Sequence, residues 1–254
     1  MKAAIISNLV KTDILSNQTR MLQLASEAVK RGARFIVFTE AAATGLVNSG
    51  NPETDYLVAE TIPGPRNEEW RDFAIEHSTY FAAGLLERER NRIFDSAVLY
   101  DPQGNLILHY RRNDPGWHLP EDNPSVYCEG LEIPVIDSKI GKLAFLICGD
   151  LWNDKVLEKL KIKNPDYLLY LFARNFIPDG STESTWKLVL SMYKERWLAS
   201  GTNVLAANLL SEYPQFESIG GTWYFNKDGQ VITESPILHE GILIIELEET
   251  GYDE

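Results

Sequence analysis

The chain alternates short runs of uninterrupted apolar residues with longer amphipathic stretches, a pattern that restricts it to strands exchanged with covering helices. "KAAIISNLV" and "ARFIVFTE" predict the first two strands. Between them, "SNQTRMLQLASEAVKRGA" brings Met21, Leu24, Ala25, Ala28 and Val29 to one face at helical spacing and ends at Gly32, a residue that stops helices. A second helix, "RNEEWRDFAIEHS", follows the turn "IPGP". Then come strands "YFAAGLLE" and "DSAVLYDPQGNLILHY", the latter folded back on itself at "DPQGN". The second half repeats the plan. Strand "KLAFLICGD" precedes a helix from about Asn153 to Lys163, strand "DYLLYLFA", helix "STWKLVLSMYKERWLAS" and strand "NVLAAN". The hairpin "GTWYFNKDGQVITES" and the strand "GILIIELE" follow. Two such halves imply an α/β fold of two sheets flanked by helices. No linker rich in Pro, Gly or Ser separates them, so residues 1–254 are expected to form one domain around a shared core.

Composition narrows the function. A chain of 254 residues, 44% hydrophobic with six tryptophans, can bury a substantial core. Its formal net charge of -13 repels nucleic-acid phosphates and anionic membrane surfaces, so neither is an expected partner and small-molecule work is. The apolar start is broken by Lys11 and Asp13 too early for a signal peptide or a membrane span, and a cytoplasmic location is expected. With only Cys128 and Cys148, a disulfide framework and a multi-cysteine zinc site are excluded, whereas thiol chemistry at one position stays open.

Three places carry reactive side chains directly after strands. Glu40 ends "RFIVFTE", where a carboxylate bears a desolvation cost unless it has a partner or a task, although acids at strand ends also serve as turn formers. Cys148 ends "LAFLIC" before a "GD" turn; the ordinary fate of a lone cysteine there is an inert place in the core. "LILHYRRNDP" puts Arg111 and Arg112 after a third strand. Asp150 is read as closing its turn by accepting backbone N–H bonds, His118 and Trp117 as lining a loop or interface, and Cys128 as a spectator.

An acid, a cation and a thiol in that order resemble the nitrilase, or carbon-nitrogen hydrolase, superfamily. The resemblance runs through "FTEAAATG", "IPGP", "DPQGNLILHYRR", "LAFLICGDLW", "LAAN" and "GGTWYFNKDGQVI". It implies a four-layer αββα sandwich that associates as a homodimer or larger homo-oligomer, and a thiol hydrolase of amide or nitrile bonds needing neither metal nor other cofactor. Carried over position by position, it implies Cys148 as nucleophile, Glu40 as general base and Arg112 in the place of the family's lysine, with Arg111 matching a basic residue that often precedes it. A further family glutamate falls on Glu121, or on Asn123 if no gap is opened. Gly149 follows the nucleophile where the family usually has a larger residue. Arg174 and Asn175, after "DYLLYLFA", fall on the substrate side, and Arg174 suits the carboxylate of a dicarboxylic acid monoamide or else a surface ion pair.

These residue types fit amide hydrolysis. Attack on the carbonyl needs a thiolate, an acceptor for its proton, and donors aimed at the oxygen that turns negative. Arg112 retains the positive charge of a lysine with a wider fork, and that fork can also clamp Glu40 and lower its pKa. The first reading is therefore an amidase acting on a small amide. The alternative is a pseudoenzyme that keeps the fold to bind a ligand or partner, and a third reading is acyl transfer from Cys148 to an acceptor other than water.

Overall fold

The computed structural model describes residues 1–176, 182–213 and 216–249. Its first half runs β1 (Lys2–Ser7), β2 (Leu9–Val10), α1 (Ile14–Lys30), β3 (Phe35–Val37), α2 (Pro52–Val58) and α3 (Pro65–His77). The meander β4 (Tyr80–Glu89), β5 (Arg92–Tyr100) and β6 (Leu106–Arg111) completes it. Next come β7 (Val135–Ser138), β8 (Gly141–Ile147), a 3-10 turn (Cys148–Trp152), α4 (Asp154–Lys163), β9 (Tyr167–Phe172), β10 (Asn175–Phe176) and α5 (Thr182–Ser200). The remainder is strand: β11 (Asn203–Asn208), β12 (Leu210–Tyr213), β13 (Phe216–Ile219), β14 (Thr222–Phe225), β15 (Val231–Glu234) and β16 (Gly241–Glu246).

Two six-stranded sheets form the centre, ordered β16-β1-β3-β4-β5-β6 and β15-β14-β11-β9-β8-β7. The period-2 geometry of strands assigns their faces. Ala3, Ile5, Phe35 and Val37 join the cluster that contains Leu143, Phe145 and Leu169 of the other sheet, while Ala4, Ile6, Ile36 and Phe38 pack with Met21 and Leu24 of α1 and Trp70 of α3. On the far side, α4 and α5 cover the second sheet with Val156, Leu160, Trp186, Tyr193 and Trp197. The layers are thus helix, sheet, sheet, helix, as expected for an α/β sandwich. Asp13 caps α1 through Leu15 N and Ser16 N, and Gly32 follows its end at φ 93°.

Three features depart from the sequence expectation. A four-stranded sheet, β10-β13-β12-β2, is built largely from strands too short to show periodicity. The last strand leaves its own half and pairs antiparallel with β1, from Lys2 opposite Glu246 to Ser7 opposite Gly241, and the Met1 ammonium donates to Leu247 O at 2.6 Å. Finally, β3 ends at Val37, since the chain must turn at 40–44 with Ala41 at φ 42°. Among the described residues no helix is long and apolar enough to cross a membrane.

Candidate active site

Each reactive side chain emerges where a strand stops, and local chemistry explains each stop. Glu40 opens the turn after β3, pressed against β4 at Gly84. Gly84 N donates to Thr39 O at 3.0 Å and Ala42 N to Gly84 O at 3.0 Å. A Cβ at position 84 would lie 2.8 Å from Glu40 Cα, so glycine is required for the acid's backbone to sit there. Arg112 follows β6, its backbone N donating to Asp95 O on β5 at 2.8 Å. Cys148 begins the 3-10 turn after β8 at φ 42°, a left-handed conformation rare for a residue with a side chain and common at functional turns.

Asp150 ties these pieces together. Its Oδ2 accepts from Ile147 N at 2.9 Å and from the Tyr110 hydroxyl at 2.6 Å, and its Oδ1 accepts from Asn113 N at 2.9 Å and Asp114 N at 2.8 Å. It closes the nucleophile turn, as expected, and also fastens that turn to the segment carrying Arg112. Burial pushes its carboxyl up to about 6 against the opposing pull of these donors. From the other side, the buried Tyr170 hydroxyl donates to Cys148 O at 2.8 Å.

Glu40 and Arg112 meet in the interior, 0% and 3% exposed, with Arg112 Nη1 donating to Glu40 Oε1 at 3.0 Å. The same Nη1 contacts Asp95 Oδ2 at 3.3 Å, and Nη2 contacts Asp114 Oδ1 at 3.4 Å. Cys148 is half-buried beside them and is electrostatically linked to both Glu40 and Arg112. Burial pushes the Glu40 carboxyl well above its usual range; Cys148 and Asp95 push the same way, and Arg112 pulls against them. The fork makes a single contact with Glu40, and its downward pull is outweighed by burial and the neighbouring acids. The charges of Cys148, Glu40 and Asp95 keep Arg112 protonated despite its burial.

The remaining predicted residues divide. Arg111 turns away from Cys148 to bind Glu87 and Glu89 and lies over the Phe94 ring. Gly149 packs against the site: a Cβ there would fall 2.3 Å from Arg112 Nη2 and 2.4 Å from Asp114 Oδ1. Arg174 lines a cavity of about 290 Å³ with Trp152, Val189, Met192 and Tyr193. Tyr193 feels the charges of Cys148, Arg174 and Glu40, so this cavity adjoins the thiol. The Arg174 guanidinium lies over the Phe176 ring, 5.1 Å from the ring centroid. Asn175 is exposed; its Oδ1 accepts from the Ser218 hydroxyl, and it borders a second cavity of about 350 Å³ with Trp117 and His118. Glu121 and Asn123 are exposed on the loop after β6, and among the described residues neither is bonded to Glu40, Arg112 or Cys148. Neither is thus brought into the cluster. Asp95 and Asp114, which sequence reasoning missed, stand there instead. Cys128 is half-buried, its sulfur 3.6 Å from Pro124 O. A larger cavity of about 780 Å³ lies over β4 to β6 beside Glu87, His109 and Arg111, away from the thiol.

A helix-sheet-sheet-helix sandwich with an acid, a cation and a thiol at three strand ends defines a nitrilase-type fold. The carbon-nitrogen hydrolase family model matches residues 2–252, and the chain belongs to that family. It is 27% identical over 204 residues to a formamidase of Bacillus cereus (strain Q1), covering 79% of this chain and 55% of that protein, so it spans about half the length of the curated relatives it matches. Among solved structures it resembles a carbon-nitrogen hydrolase from Helicobacter pylori G27 (TM-score 0.80, 18% identity, 96% of this chain and 87% of that one). It also resembles an amidase from Nesterenkonia sp. AN1 (TM-score 0.79, 17% identity, 98% and 93%), a mutant with acrylamide added at its active-site cysteine.

Proposed function

We propose that the chain is a thiol amidase acting on a small amide through a thioester on Cys148. The observation that carries this reading is the buried contact of Glu40 with Arg112 beside that thiol. Glu40 takes the proton of Sγ, and the sulfur electron pair attacks the amide carbon. The carbonyl electrons move to oxygen, where Arg112 Nη2 and a backbone N–H near the thiol offer donors. As the C–N bond breaks, Glu40 returns its proton to the departing amine. Water then attacks the thioester, giving its proton to Glu40, and the acid leaves as Sγ is reprotonated. A carboxyl raised by burial suits both directions of transfer. Removing one oxyanion donor typically costs about 2.7 to 4 kcal/mol.

Arg174 at the rim of the adjoining cavity supports a substrate carrying a carboxylate, such as the monoamide of a dicarboxylic acid; similarity to formamidases supports a small acyl group. The chain is read as a symmetric homodimer. Leu188, Met192 and Leu198 on the exposed side of α5, with Ile162 on α4, offer apolar area for this.

The test is intact-protein mass spectrometry after exposure to formamide, acetamide, acrylamide and succinamic acid. An acyl adduct on Cys148, lost with time as free acid accumulates, is expected. A binding-only protein is the second reading, favoured by the arginine in the lysine's place: thermal stabilisation by an amide without adduct or ammonia release would establish it. A stable adduct transferred to hydroxylamine but not to water would indicate acyl transfer.

A further inference from the structure

Asp95 lies within β5, between Phe94 and Ser96, and its side chain is 0% exposed. An acid in such a place needs compensation. Its Oδ2 receives Arg112 Nη1 at 3.3 Å, the same nitrogen that donates to Glu40 Oε1 at 3.0 Å, so one donor brings the two carboxyls together. Two carboxyl groups can bond to each other only across a proton. Glu40 Oε2, Asp95 Oδ1 and Arg112 Nε are buried with no partner assigned, so the cluster has unused bonding capacity where such a proton would sit.

Charge counting leads the same way. Glu40, Asp95 and Arg112 together make two acids and one guanidinium, and a net negative charge on that buried trio is costly; one proton shared by the acids removes it. Burial raises both carboxyls from their usual values. The groups facing Glu40 are Asp95 on β5, Arg112 after β6, Cys148 after β8, Tyr170 on β9 and Tyr193 on α5; Asp114 and Asp150 face Arg112.

We propose that Asp95 is a positioning residue for proton transfer between Cys148 and Glu40: by sharing Arg112 Nη1 and one end of a carboxyl–carboxyl hydrogen bond, it prevents the cation from clamping Glu40. This role rests on the reading of Cys148 as nucleophile and Glu40 as base. Moving the thiol proton to Glu40 creates one negative sulfur and removes one negative carboxylate. With the charge on Asp95 unchanged, the buried set keeps the same total charge before and after the transfer.

The experiment is Asp95→Asn, which keeps the shape and removes the ionisable group. Arg112 then acts on Glu40 alone and holds it ionised. With formamide or succinamic acid, the acidic limb of kcat/KM is expected to move down by about one pH unit and kcat to fall about tenfold, with KM little changed. The pH profile of Cys148 carboxamidomethylation by iodoacetamide, read by peptide mass, should move in the same variant without any turnover. A folded variant with both profiles unmoved overturns the proposal. If the unaltered protein hydrolyses neither amide and the alkylation profile still moves, the hydrolase reading fails and Asp95 keeps its role. Should the variant not fold, infrared titration of the unaltered protein decides: a protonated-carboxyl band from 13C-labelled aspartate or glutamate, removed by Glu40→Gln, is expected to persist above the usual carboxyl range. Its absence overturns the proposal.

Discussion

The guanidinium of Arg112 occupies the space that any side chain at Gly149 would need, since a Cβ at 149 would stand 2.3 Å from Nη2. The two positions are therefore linked: a side chain at 149 would force the Arg112 fork and the Asp114 carboxylate to shift.

Gly149→Ala should accordingly displace Arg112 and lower kcat by about a hundredfold, the scale of one lost oxyanion donor. Joining it to Arg112→Lys, which narrows the cation, should recover much of the loss. Steady-state kinetics of the single and double variants check this coupling. Additive losses would show that the two positions act separately.

Brief labelling with iodoacetamide near neutral pH should modify Cys148 well before Cys128. Cys148 has a carboxylate acceptor in its site, whereas burial pushes the Cys128 thiol up. Peptide mapping reads the ratio, and preferential labelling of Cys128 would remove Cys148 from the nucleophile's place.

Acid should weaken the sheet through Glu87. Burial alone would raise this carboxyl, but hydrogen bonds from His109, Arg111 and Ser96 outweigh it and hold the group at about 2. A depressed carboxyl contributes stability above its unfolded value of 4.5, and that contribution is lost as pH falls from 4.5 towards 2. The loss should be roughly 3 kcal/mol across that window. Urea unfolding at stepped pH measures it, and Glu87→Gln should flatten the curve there.

Leu188→Glu should convert a dimer to monomer, because Leu188 is 77% exposed on α5 and a charge there opposes apolar association. Light scattering of both proteins gives the answer, and a monomeric parent would dispose of the assembly.

The parts of the site announced by strand ends were legible: Glu40, Arg112 and Cys148 each follow an apolar run, and the structure gathers all three. Asp95 carried a signal that went unused, an acid inside the strand "RIFDSAVLY", where nearly every neighbour is buried. The loop after β6 has no periodicity, so nothing in the sequence fixes where Glu121 lies. In sequence alone, the apolar area of Trp186, Tyr193 and Trp197 suits an interface and the core equally. Their spacing places them on one helical face, and that face meets Phe172, Trp223 and Phe225 in the core. The two-residue strands β2 and β10 are fixed by partners far along the chain, beyond the reach of local pattern.

Because Asp150 bonds both to the nucleophile's turn and to the segment bearing the cation, a substitution that shifts either one drags the other with it. An engineer seeking to alter substrate range would find that side of the pocket unforgiving. The opposite rim, where Arg174, Val189 and Met192 border the cavity, lies outside this tether. Libraries confined to those three positions should change which acyl groups are accepted while leaving the bond-breaking apparatus in register.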